Sequence, residues 1–95
     1  MEEANGRLEL SRAVLTTHAP SQMARRQVSK EQVQQVLDDP QAILPVRNGR
    51  VVAQRLLVID TGNYLLRVFV DVDRTPPEVV TVYRTSKTEK YGKQP

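Results

Sequence analysis

The 95-residue chain has no cysteine, no tryptophan, a single histidine, one phenylalanine and three tyrosines. Without cysteine there is no disulfide, no thiolate ligand and no cysteine nucleophile, and one histidine cannot build a zinc site by itself. These absences point away from metal catalysis and lead us to expect no cofactor. So few aromatics leave the core to be built from valine, leucine and isoleucine. No apolar run approaches the roughly 18 residues that a membrane span needs. The acidic opening MEEANGR lacks the basic and apolar regions of a signal peptide. Together these two gaps lead us to expect a cytoplasmic protein with no membrane partner.

What the chain does have is charge. It carries 14 Lys and Arg against 11 Asp and Glu, a net +3, with arginine outnumbering lysine ten to four. Residues 1–40 hold five cations against six acids, and residues 41–95 hold nine against five, so the balance moves from −1 to +4 along the chain. An arginine-rich, basic second half favours a phosphate-bearing partner, because guanidinium groups fork onto phosphate oxygens.

The length suits a single domain. We expect an ordered core over about residues 8–91, with 1–7 and 92–95 as loose ends. The stretch LELSRAVL (8–15) fits either a short strand or the approach to a helix. A first helix is predicted in THAPSQMARRQV, opened by Thr16 or Thr17 with Pro20 in its first turn. A second follows in VSKEQVQQVLDDP, where Ser29 and Gln32 have capping-box spacing and Val33, Val36 and Leu37 share a face. After Pro40 the period becomes extended. QAILPVR and RVVAQRLLVID flank Asn48-Gly49, a pair suited to a type I′ turn, and Thr61-Gly62-Asn63 reads as the next turn. YLLRVFVDV and VVTVYRT are two further strands, separated by the rigid loop DRTPPE. The expected fold is α+β, with two N-terminal helices packed on one face of a four-stranded antiparallel sheet.

Strand parity sorts the side chains further. Tyr64, Leu66, Val68 and Val70 alternate with Leu65, Arg67, Phe69 and Asp71, and the first set is the better candidate for the helix-packed face. If Val80 and Val82 belong to the core, Arg84 emerges beside the helix ends and Thr81 shares a face with Arg67.

Two regions carry candidate chemistry. His18 precedes the first helix, where the helix dipole disfavours imidazolium and free N–H groups favour an anion. A neutral imidazole there suits a general base for a 2′-hydroxyl, and it equally suits a plain cap or a half-buried corner. In the closing stretch Arg84, Lys87, Lys90 and Lys93 surround one acid, Glu89, with Ser86 and Tyr91 as added donors. Such a cluster can hold phosphates, and Tyr91 can stack on a base. The bland alternative is a solvated tail in which Ser86 and Glu89 start one turn of helix.

The segments THAPSQMARRQVSKEQVQQVLDDP, LLRVFVD and VVTVYRTSKTEKYGK together resemble the bacterial family termed domain of unknown function 4258, over roughly residues 16–92. Gln22 and Gly92 depart from its pattern, which favours arginine and an aromatic at those places. More distantly, the layout is similar to RelE, BrnT and colicin-D type ribonuclease toxins, a RelE- or barnase-like arrangement. That likeness implies a metal-independent endoribonuclease with His18, Arg84, Lys87 and Tyr91 in catalysis and Arg26, Arg67, Thr81, Ser86 and Lys90 in RNA binding. In this scheme His18 takes the 2′-hydroxyl proton, Arg67 and Arg84 clamp the phosphate, and Lys87 neutralises the transition state. The other readings are a non-catalytic RNA-binding module and a protein-interaction domain covered by an acidic antitoxin-like chain.

Overall fold

The computed structural model describes residues 9–87. A 3₁₀ turn (Glu9–Arg12) leads into the two-residue strand β1 (Val14–Leu15), then helices α1 (Ala19–Arg26) and α2 (Lys30–Asp38). Four strands follow: β2 (Ala42–Arg47), β3 (Arg50–Ile59), β4 (Gly62–Asp71) and β5 (Glu78–Thr85). They form one five-stranded sheet in the order β1-β5-β4-β3-β2. β2 to β5 are antiparallel neighbours, whereas β1 lies parallel to the start of β5, with Val14 opposite Glu78 and Leu15 opposite Val79. The expected four-stranded antiparallel sheet is thus corrected to a five-stranded mixed one, and the RelE- and barnase-like layout falls with it. A two-residue strand shows no period in sequence, and its parallel partner lies at the other end of the chain.

Helix α2 forms where the local code is strongest. The Ser29 hydroxyl accepts from the Gln32 N–H at 3.1 Å while the Gln32 side chain accepts from the Ser29 N–H at 2.9 Å, satisfying two donors the helix would otherwise orphan. α1 begins differently from expectation. Its N-cap is His18, not Thr16 or Thr17, and no side chain caps it. The α1 stripe of Ala19 and Met23 and the α2 stripe of Val33, Val36 and Leu37 are buried against Ala53, Leu66, Val68, Val70, Val79 and Val82. Truncating Met23, Leu37 or Leu66 to alanine costs about 2–5 kcal/mol.

The two hairpin turns exchange the chemistry that their sequences suggest. At Asn48-Gly49 only the glycine has positive φ, at 84°, so the turn is not of type I′. A Cβ at Gly49 would lie 2.8 Å from an Asp73 carboxylate oxygen, a second reason for glycine there. The left-handed pair falls instead on Asp60 and Thr61, with φ of 50° and 67°, closing β3 onto β4 where Ile59 pairs with Gly62.

Candidate anion-binding site

Both helices sit on the face of the sheet that carries Tyr64, Leu66, Val68 and Val70. Since β1 runs parallel to β5 and the Thr16 N–H bonds the Val79 carbonyl at 3.1 Å, α1 begins beside the start of β5. Its other end meets the end of β5. There Gln27 adopts the left-handed conformation, φ 58°, and the Val28 N–H reaches back to the Met23 carbonyl at 2.9 Å, closing the helix. The exposed carbonyl of Gln27 accepts a 2.8 Å hydrogen bond from Arg84 Nη1.

Arg84 is therefore held at two points. The register pairs it with Leu66, on the helix side of the sheet, and its guanidinium carbon lies 4.2 Å from the centroid of the Tyr64 ring. A guanidinium bonded on one edge and stacked on its face loses little further rotamer freedom when a ligand engages its remaining N–H groups. With Arg25 and Arg26 from the last turn of α1 it lines an open hollow of about 280 Å³. A second open hollow, about 570 Å³, shares Arg84 and includes Gln27, Ser29, Gln32 and Asp60.

Among the described residues, none of Arg25, Arg26 and Arg84 forms an ion pair, whereas Arg50, Arg55 and Arg74 all do. Cations in the last turn of a helix offset its negative end, and Arg84 caps the Gln27 carbonyl. These structural roles explain each arginine singly. They leave unexplained why all three line one solvent-open hollow without a carboxylate, since like charges so placed repel. An anion there would relieve that repulsion and accept several charge-assisted hydrogen bonds.

The remaining candidates are placed as follows. His18 is exposed at the opposite end of α1; eight residues at the helical rise put about 12 Å between it and the hollow. Arg67 is paired with Tyr83 and so stands on the face opposite Arg84, where its Nε donates to Gln54 Oε1 at 3.1 Å. The two arginines are thus not arranged to clamp one phosphate. Thr81, opposite Phe69, shares the Arg67 face. Ser86 and Lys87 are exposed just beyond β5, and the Lys87 N–H bonds the Thr85 hydroxyl at 3.0 Å. Lys90 and Tyr91, Lys93 and Glu89, the closing turn of helix and the expected loose ends at 1–7 and 92–95 lie outside the described residues. Arg25 was not singled out by sequence; the signal was its place beside Arg26 in the last turn of a helix with no acid in it.

Among the described residues, no three His, Asp or Glu side chains group to hold a metal ion. No helix there is long and apolar enough to cross a membrane.

The model of the family described as domain of unknown function (DUF4258) matches residues 15–84. The chain belongs to this family. The DUF4258 match runs from β1 to Arg84, so it takes in both helices, β2 to β4, β5 up to its last residue but one and the three arginines of the hollow, and it ends before Lys87. Neither the curated proteins nor the solved structures provide a match, and the likeness to RelE-type toxins finds no support.

Proposed function

We infer that this DUF4258 domain binds RNA without cleaving it, taking backbone phosphate in the hollow lined by Arg25, Arg26 and Arg84. The observation that carries this reading is the contrast in pairing: three guanidiniums converge on one open hollow with no carboxylate partner among the described residues. Endoribonuclease chemistry needs a proton acceptor at the bound phosphate, and His18 sits a helix length away. The non-catalytic reading is therefore the better supported.

The test is a salt titration of RNA binding. Each neutralised phosphate on a single strand contributes about 0.7 to the slope of log affinity against log salt. Arg25→Ala and Arg26→Ala are each expected to lower that slope by about this amount. Incubation of metal-free protein with total RNA is expected to leave no cyclic-phosphate ends; their appearance would replace the binding reading with the nuclease one. A salt-independent affinity, with tight capture of an acidic polypeptide instead, would overturn both.

A further inference from the structure

The face of the sheet opposite the helices, where Val52, Gln54 and Leu65 are buried, carries two of the chain's few aromatic rings. Phe69 on β4 lies opposite Thr81, and Tyr83 on β5 lies opposite Arg67, so the rings are diagonal neighbours on adjacent strands of the same face. Diagonal neighbours stand about 7–8 Å apart, within mutual reach of aromatic side chains. Both rings are half-buried. A core poor in aromatics gains most by placing a phenylalanine inside, yet the one phenylalanine is on the side without a helix.

Cations attend both rings. The Arg67 guanidinium lies 5.6 Å from the Phe69 centroid, and that of Arg26 lies 5.2 Å from the Tyr83 centroid. Arg26 also lines the hollow on the helix side. It can serve both places because β1 covers only the start of β5, and beyond Val79 the outer edge of β5 has no strand partner among the described residues. The arginine hollow and the aromatic face thus meet around a strand edge that no described residue pairs. The one carboxylate in the β4 row of this face, Asp71, is bound by Arg50 at the far end of the sheet.

We propose that this face is a stacking platform for single-stranded RNA, with two splayed bases on Tyr83 and Phe69 while an adjoining phosphate occupies the arginine hollow. The proposal rests on reading that hollow as a phosphate site. A base presents a π-face whatever its identity, so the platform accepts any sequence but requires unpaired bases. Duplex RNA, whose bases are stacked on each other, offers the hollow its phosphates and the rings nothing.

The test compares a fluorescein-labelled oligouridylate, an abasic oligonucleotide of the same length and charge, and a duplex RNA, by anisotropy at fixed salt. Oligouridylate is expected to bind about tenfold or more tightly than the abasic strand, from a stacking contribution of about 1–3 kcal/mol per base. Tyr83→Leu should remove most of that advantage and Tyr83→Phe should retain it; because the Tyr83 ring also holds Arg26, the variant expected to leave abasic binding unchanged is Phe69→Leu, whose ring is attended by Arg67 and not by an arginine of the hollow. Circular dichroism checks the fold; if Tyr83→Leu fails to fold, Phe69→Leu makes the same comparison, and the wild-type abasic result decides independently. Equal affinity for oligouridylate and abasic strand, or duplex binding as tight as single-strand binding, overturns the platform while leaving the phosphate site standing. No binding of any of the three removes both.

Discussion

The two ends of the β4–β5 ladder treat arginine in opposite ways. At one end Arg50 donates to Asp71 through Nε at 2.6 Å and Nη2 at 3.2 Å, and Arg74 lies within 4.0 Å of Asp71, 3.7 Å of Asp73 and 3.4 Å of Glu78. At the other end Arg25, Arg26 and Arg84 have only a carbonyl and two tyrosine rings as partners among the described residues. The residue type is the same and the sheet is the same. At the paired end Arg50 ties β3 to β4 through Asp71, and Arg74 is surrounded by Asp71, Asp73 and Glu78. The unpaired end keeps its charge available, which is what a surface for an external anion requires.

The largest expected effect breaks the paired end. Asp71→Asn leaves Arg50 without its carboxylate, and losing hydrogen bonds to a charged group costs about 1.5–3 kcal/mol. For a domain of this size that lowers the melting temperature by several degrees per kcal/mol, about 4–8 °C each. RNA affinity should hold, since the hollow lies at the other end; a parallel loss of affinity would mean the two ends are not separate.

A smaller effect carries the sign of the same pair. Hydrogen bonding from Arg50 draws the Asp71 carboxyl below its ordinary value, outweighing the opposing effect of burial, and raises Arg50. A folded carboxyl pKa below the unfolded one makes the pair's contribution complete above the unfolded carboxylate range and lost as pH falls through the lowered Asp71 value. Acid unfolding of the wild type should therefore show a component that Asp71→Asn lacks.

The smallest effect sharpens the comparison by making the free end resemble the paired one. Ser21→Glu places a carboxylate four residues before Arg25 on α1. An (i, i+4) pair of this kind adds about 0.2–0.5 kcal/mol to the helix. Stability should rise slightly as RNA affinity falls by a few fold, and urea unfolding with anisotropy on the same sample would show it. A rise in both would mean that Arg25 takes no part in binding.

Much of this was legible in the sequence where the signal was local. The Ser29–Gln32 capping box, the stop at Asp39-Pro40 and the placing of Arg84 beside the helix ends followed from spacing and parity. What escaped depended on distant parts of the chain. β1 exists only because β5 offers it a parallel edge, and no period marks two residues. Asn48-Gly49 has the composition of a type I′ turn, but Asp60 and Thr61 adopt it, so the strands they join override the preference of the turn itself. Bringing His18 to Arg84 assumed that α1 starts where β5 ends. The parallel pairing of β1 reverses that direction, and it is invisible until the strand is known.

The brevity of β1 has one more consequence. An uncovered strand edge invites a second copy to add its own strand, the first step toward unwanted association. Here the approach is guarded, because two molecules meeting along the part of β5 that no described residue pairs would bring the arginines of each against those of the other. The charge that we assign to capturing a ligand would also keep neighbouring copies apart, and a bound polyanion would lift that guard.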